Sequence, residues 1–263
     1  MTRKRYACET TLTLLHWLDS YGCRVIDGQS THELSVSKIA GYAALRQCGI
    51  RVPRTVSAVG KQQLLAAAQS FAAGGKRFLA KHNRGGSGSG VVLFESLHEF
   101  ESYLTGTDFQ EPVDGITLIQ QFIETAEPTV TRVELVDCKL LYGVKILVDA
   151  EFNPQNCPAD SCAGTNCPMA AGADRPRKFT ILHDLRKTEP ELVKQYEQFV
   201  RENNVEVCGI EFAKDDQGRT WTYDVNVNTN YNRSAERRAK VNGGGSAAVA
   251  ALISRALQEW VST

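Results

Sequence analysis

Gly209-Ile210-Glu211-Phe212-Ala213 and Tyr223-Asp224-Val225-Asn226-Val227-Asn228 stand on either side of Asp215-Asp216-Gln217-Gly218. A polar turn between two alternating runs predicts an antiparallel pair, Val205 to Ala213 with Arg219 to Val227. Successive side chains on a strand point to opposite faces, so Asp224 and Asn226 share one side, and Glu211 on the adjoining strand can meet them. Ile210, Phe212, Val225 and Val227 then form the buried face. Three hard oxygen donors on one sheet face suit Mg2+, which keeps part of its water and is completed by substrate phosphates. A solvated polar face would show the same alternation, so the pattern alone leaves both readings open.

Working outward, the second informative stretch is Lys81-His82-Asn83-Arg84-Gly85-Gly86-Ser87-Gly88-Ser89-Gly90. It follows a strand, Arg77 to Lys81, and precedes another, Val91 to Phe94, which makes it the tip of a hairpin. Glycines let backbone approach a polyphosphate and turn several N–H groups toward it, with Lys81 adding a point charge at the base. It lacks the Gly-Lys-Ser/Thr ending of a Walker loop and opens no helix as a Gly-x-Gly-x-x-Gly would. The plain alternative is a flexible turn.

The rest of the chain supplies alternating helices and strands. Helices are expected at Glu9 to Tyr21, Ser37 to Cys48, Lys61 to Ala73, Ser96 to Leu104, Glu189 to Glu202 and Ser246 to Trp260. Further strands are expected at Cys23 to Ile26, near Arg54, at Gly115 to Ile123, and at Arg132 to Val136 with Leu140 to Val148 across a short turn. Between Asp149 and Arg177 no period of 2 or 3.6 survives, which reads as a long loop or insertion.

Composition bounds the function. The 263 residues are 42% hydrophobic, enough for one large domain or a few small lobes. Thirty basic and thirty acidic side chains leave no net charge, hence no global field to hold nucleic acid or an anionic membrane. Leu12 to Leu18 is too short and too interrupted for a signal or spanning segment, and the chain is read as cytoplasmic. Eight cysteines are then free thiols or metal ligands rather than a disulfide framework.

Taken together the motifs resemble the ATP-grasp ligases of the RimK and glutathione-synthetase type. The resemblance runs from about Val36 to the C-terminus. It is carried in order by Lys38, Gly49-Ile50-Arg51-Val52-Pro53-Arg54-Thr55, the Lys81 hairpin, Ile119-Gln120-Gln121-Phe122-Ile123, Arg132, Gly209-Ile210-Glu211 and Asp224-Val225-Asn226. It implies an α/β (α+β) fold whose two lobes clasp ATP, divided as 1–35 (a remnant of an N-terminal α/β domain), 36–114 (a small lobe with the flap) and 115–263 (a large lobe with the metal site). It implies that Lys38 and Lys81 bind ATP phosphates, that Gly86-Ser87-Gly88 covers them, and that Gln121 and Phe122 form the adenine hinge. Glu211, Asp224 and Asn226 match the Mg2+ ligands, with Mn2+ as the substitute metal, and Arg132 matches an arginine suited to an acyl phosphate or carboxylate. Plainer readings stand beside these: Lys38 as a solvated helix lysine, Phe122 as core, and Arg132 as an ion pair with Glu134 or Glu124.

The chain departs from the family in three places. Val130 stands where an aspartate would help hold the ribose, and Glu124 or Glu127 is the substitute. The family's N-terminal α/β domain, which helps wall the acceptor site, is reduced here to Met1 through about Glu33, so the expectation is either a fragment or another subunit, a second copy or a partner, that completes the pocket. The triphosphate loop is replaced by one bearing Cys157, Cys162 and Cys167, followed by His183. That spacing matches no zinc knuckle or common ferredoxin cluster, so these are read as ordinary loop thiols, with a structural metal or a redox cysteine as alternatives. The implied activity is ATP-dependent joining of a carboxylate to an amine, on an amino acid or peptide. The alternative is a regulatory ATP-binding module without turnover.

Overall fold

The computed structural model describes residues 3–85, 90–147, 178–227 and 229–262. The Gly86-Ser87-Gly88 tip, Asn228 and the three cysteines at 157, 162 and 167 lie outside the described residues. Three helices come first: α1 (Arg3–Ser20), α2 (Gln29–Val36) and α3 (Lys38–Gln47). They lead into β1 (Thr55–Val59), α4 (Gly60–Ala72), β2 (Phe78–His82), β3 (Val91–Phe94), α5 (Leu97–Thr105) and β4 (Ile116–Gln121). These four strands form one antiparallel sheet in the order β1-β4-β2-β3.

A second antiparallel sheet follows. Its strands are β5 (Thr129–Val136), β6 (Lys139–Leu147), β7 (Phe179–Leu182), β8 (Val207–Lys214) and β9 (Thr220–Asn226), in the order β7-β6-β5-β8-β9. Between β7 and β8 lie α6 (Leu185–Thr188) and α7 (Pro190–Glu202), and the chain closes with α8 (Arg233–Arg238) and α9 (Gly244–Val261). Asp137 and Cys138 both take positive φ, 55° and 57°, the two-residue turn whose twist matches a β hairpin. Ser96 accepts the Glu99 N–H at 3.2 Å, capping α5 where the sequence places its start.

Each sheet buries one face. In the first, Phe78, Phe94 and Phe100 pack with centroids 4.9–5.6 Å apart, and Leu64, Ala68 and Phe71 of α4 close over them. In the second, Val193, Tyr196, Phe199 and Val200 recur at helical spacing on α7 and cover Val133, Cys208, Ile210, Phe212 and Val225. Each such large apolar side chain contributes roughly 1.5–3 kcal/mol on burial. Tyr42 and Leu45 of α3 and Leu118 of β4 join the same cluster, so the first sheet is held against the second. Glu211 alternates with Ile210 and Phe212 and therefore faces away from α7.

The strand expected at Cys23 to Ile26 does not form. Polar contacts to the second sheet take its place: Arg24 pairs with Glu206, and Asp27, in a left-handed turn (φ 52°), accepts the Glu206 and Val207 N–H groups at 2.8 and 3.3 Å. Helices α2, α6 and α8 and strand β7 are elements beyond the sequence expectation. All are short, and their stability comes from packing rather than from periodicity. Among the described residues, no helix is long and apolar enough to cross a membrane.

Candidate active site

Three neighbouring strands carry the centre of the site. Arg132 on β5 is the direct partner of Glu211 on β8, and Glu211 is the direct partner of Asp224 on β9, so the three side chains form a row on the face away from α7. Asn226 lies two pairs further along, opposite Gly209. The register shifts between Glu211 and Phe212, a bulge that keeps Asp224 on this face while Thr222 turns inward to bond the Tyr196 hydroxyl at 2.7 Å. The face-sharing of Glu211, Asp224 and Asn226 expected from alternation is thus present.

Arg132 is almost wholly buried, and every guanidinium nitrogen is engaged. Nε donates to Glu134 Oε1 at 2.9 Å, Nη1 to Glu211 Oε1 at 3.0 Å and Nη2 to Thr229 Oγ1 at 2.7 Å. Thr229 in turn donates to Glu134 Oε2 at 2.7 Å. The ion pair with Glu134, offered by sequence as the plainer reading of Arg132, exists and coexists with the contact to Glu211. Burying these charges is tolerable only because each meets a partner. Gly209 makes the geometry: a Cβ there would lie 2.3 Å from Arg132 Nε, so the guanidinium lies across a residue that must lack one. Gly209 and Thr229 carried no assigned role in the sequence, although a glycine inside a strand signals close approach by another group.

Two lysines meet this row. Lys38 is the first residue of α3, and its Nζ lies 3.0 Å from Asp224 Oδ1, so it is paired rather than solvated. Lys81 on β2 is buried, with Nζ 5.3 Å from the centre of the Tyr42 ring. Tyr42 is fixed from behind by its hydroxyl, which donates to Tyr223 O at 2.7 Å. Burial, reinforced by the charge of Lys38, pulls the Lys81 ammonium down to about 7 against the opposing pull of Asp224 and Glu211. Burial pushes Asp224 up, but Lys38, Lys81 and the hydrogen bonds from Lys38 and Asn226 outweigh it and hold the carboxyl below its usual range.

The expected hinge residues sit elsewhere in the arrangement. Gln121, Phe122 and Glu124 line a cleft of about 980 Å3 that also includes Arg54, Asp215 and Trp221, but none of Lys38, Lys81, Glu211 or Asp224. Gln121 N donates to Arg54 O at 2.8 Å, the Arg77 guanidinium lies 4.4 Å over the Phe122 ring, and Arg77 Nε donates to Glu124 at 3.0 Å. Glu127 pairs with Lys145, and Val130 is core. At the base of the hairpin, Gly90 has φ +77° and a Cβ would strike the His82 ring at 2.5 Å.

The donor set fits a Mg2+ that is finished by other ligands. Glu211 and Asp224 offer carboxylate oxygens, while Asn226 donates its amide N–H to Asp224 Oδ2 at 3.3 Å, leaving its carbonyl oxygen as the ligating atom. Among the described residues no three His, Cys, Asp or Glu side chains gather into a self-sufficient metal cage. Two carboxylates and an amide would need water and phosphate oxygens to complete a coordination shell.

The architecture has solved counterparts. The ligase PsnB, complexed with a phosphomimetic variant of a minimal precursor, Mg and ADP, matches 93% of this chain and 66% of its own at TM-score 0.62 and 15% identity. D-alanyl-alanine synthetase A from Vibrio cholerae matches 82% of this chain and 63% of its own at TM-score 0.61 and 14% identity. A RimK domain protein from Sphaerobacter thermophilus matches 87% of this chain and 72% of its own at TM-score 0.55 and 19% identity.

The chain has the ATP-grasp fold.

No protein-family model matches the sequence, and no curated protein does. The chain spans a little under two thirds of the PsnB structures it matches, 64% in the complex with the minimal precursor. In this ATP-grasp fold Lys38, Lys81, Arg132, Glu211, Asp224 and Asn226 converge from α3, β2, β5, β8 and β9, elements spread over most of the chain.

Proposed function

We propose that this ATP-grasp chain is an ATP-dependent carboxylate–amine ligase acting on an amino acid or peptide. The observation that carries the reading is the row Arg132, Glu211, Asp224 with Lys38 and Lys81 converging on it. A polar sheet face that served only solubility would have no reason to collect two lysines, one of them buried. The solved ATP-grasp relatives include proteins complexed with peptide precursors and with a leader and core peptide, which supports the peptide class.

In the proposed reaction a substrate carboxylate oxygen attacks the γ-phosphorus of ATP, ADP leaves, and an acyl phosphate forms. An amine nitrogen then attacks the acyl carbon, loses a proton, and expels inorganic phosphate as the amide forms. Lys38 and Lys81 neutralise charge on the phosphates: Lys38 exchanges Asp224 for a phosphate oxygen, and Lys81 gains the anionic partner that restores its proton. A Mg2+ held by Glu211, Asp224 and Asn226 would supply charge neutralisation on the transferring group. Arg132 keeps Glu211 oriented through Nη1 and is tied to Thr229 through Nη2, and the fork of its guanidinium suits a substrate carboxylate or acyl phosphate.

The test is a ligation screen: the chain with ATP, Mg2+ and pools of amino acids and peptides, read by phosphate release and by mass spectrometry. Condensed products lighter than the sum of their parts by one water, with phosphate above a no-acceptor control, are expected. Nucleotide binding with neither product nor phosphate would leave a binding module and overturn the ligase reading.

A further inference from the structure

The first turn of a helix leaves its N–H groups without intrahelical partners, and in α3 two of these are satisfied from another part of the fold. Lys38 N donates to the backbone oxygen of Asn83 at 3.2 Å, and Ile39 N donates to Asn83 Oδ1 at 3.0 Å. The local cap, Ser37, takes only the next one, Ala40 N at 3.4 Å, and its hydroxyl also donates to Asn83 Oδ1 at 3.3 Å. Asn83 itself is held rigidly. Its backbone N–H donates to Ile116 O at 3.0 Å and its Nδ2 to Asp114 Oδ2 at 2.7 Å, while Asp114 Oδ1 accepts Ile116 N at 3.2 Å. The residue is 3% exposed and uses both ends of its amide.

This joins the two lysines. Lys81 lies two residues upstream of Asn83 in β2 and its extension, and Lys38 is the residue whose N–H rests on the Asn83 carbonyl. The geometry points to Asn83, braced by Asp114, as a positioning residue that sets the placement of Lys38 relative to Lys81 and so shapes the phosphate-binding cradle. The assignment rests on the nucleotide reading proposed above. Asn83 touches no reacting atom. It acts by locking the start of α3, which packs on the second sheet, to the base of the glycine hairpin of the first.

The experiment uses the full chain with Asn83→Ala, Asn83→Asp and the swapped pair Asn83→Asp/Asp114→Asn. In Asn83→Asp two carboxylates face each other. In the swapped pair the amide introduced at position 114 donates back to the carboxylate introduced at position 83, which still accepts Ile39 N. ATP and adenosine affinities are measured by calorimetry, and amide exchange at Ile39 by NMR on the ligand-free chain. Both single variants are expected to weaken ATP by about 10-fold or more with adenosine nearly unchanged, and to speed exchange at Ile39. The swapped pair is expected to return both to within about 3-fold of wild type. Unchanged ATP affinity in both single variants, equal losses for ATP and adenosine, or failure of the swap to restore them would overturn the assignment while leaving the nucleotide reading intact. If wild type itself binds ATP no better than adenosine, the nucleotide reading falls, and the cradle role falls with it. The exchange arm then still decides the clamp: slow exchange at Ile39 lost in Asn83→Ala and regained in the swap upholds it, and unchanged exchange removes it.

Discussion

Lys38 and Asp224, 186 residues apart in the chain, meet as an ion pair with Nζ 3.0 Å from Oδ1. Their side chains keep 13% and 24% of their exposure, so the pair stands at the edge of the site rather than sealed within it. In the proposed function an arriving phosphate would compete for Lys38, and a divalent cation for Asp224. Loading both together exchanges one ion pair for two, so nucleotide and metal should bind cooperatively.

Asp224→Asn and Glu211→Gln keep side-chain size and remove one negative charge each. Both variants should fold, since Arg132 retains Glu134 and Thr229 when Glu211 is neutralised. Adenine nucleotide should still bind, but Mg-dependent turnover should fall by about 100-fold or more, the scale of one lost preorganised electrostatic contact. Full turnover in both variants at saturating ATP and Mg2+ would show that these side chains are a solvated sheet face.

Lys38→Met and Lys81→Met should each weaken ATP relative to adenosine by roughly 1.5–3 kcal/mol, the range for a hydrogen bond to a charged group. Titration calorimetry with both ligands gives the difference. Their stabilities should diverge. Lys81→Met removes a buried ammonium and should raise the melting temperature at neutral pH by a few degrees, roughly, for a chain of this size. Lys38→Met takes from Asp224 its direct ion-pair partner and should lower it.

The Lys81 proton links pH to both stability and binding. Its folded value, about 7, lies below the 10.5 of the free side chain, so between these pH values the unfolded chain binds more protons. Stability contributed by this residue therefore rises with pH across that window, and below about 7 the penalty of burying the charge is present in full. Phosphate restores the proton, so ATP binding at about pH 8 should take up protons, and ATP affinity should fall as pH rises above 7. Calorimetry in two buffers of different ionisation enthalpy measures the uptake. The same heat in both for wild type, or the same uptake in Lys81→Met, would count against it.

Gly209→Ala places a methyl group where Arg132 Nε now lies, 2.3 Å from the new Cβ. The guanidinium must move off Glu211 and Glu134, at a stability cost of roughly 1–3 kcal/mol, typical of overpacking. Turnover should drop while ATP affinity holds, because neither lysine is touched. A variant with wild-type kinetics would mean that the Arg132 contact to Glu211 has no part in the reaction.

Much of this was legible in the residues. The hairpin around Asp215 to Gly218, the alternation of Asp224 with Asn226 and the helix at Glu189 to Glu202 are local patterns, and the structure carries all three. The segment Cys23 to Ile26 forms no strand because a short run with Val25 and Ile26 as its aliphatic residues says nothing about which polar partners Arg24 will meet, here Glu206. Asn83 was visible in the glycine stretch but gave no sign of its task, since its partners at Ser37, Ile39 and Asp114 lie 31 to 46 residues away.

What the sequence determined by itself is which side chains share a strand face and where helices begin, because strand alternation, helical period and capping depend on neighbours in the chain. What only the tertiary structure decided is which charge meets which. Arg132 reaches Glu211 because the strand order is β5-β8-β9, and Gly209 leaves room for it. Lys38 reaches Asp224 because α3 packs on the second sheet through Tyr42 and Leu45. Lys81 loses part of its hold on a proton because the two sheets close over it. Register, strand order and burial arise from contacts between distant segments, and a buried charge takes its properties from whatever those contacts bring within reach.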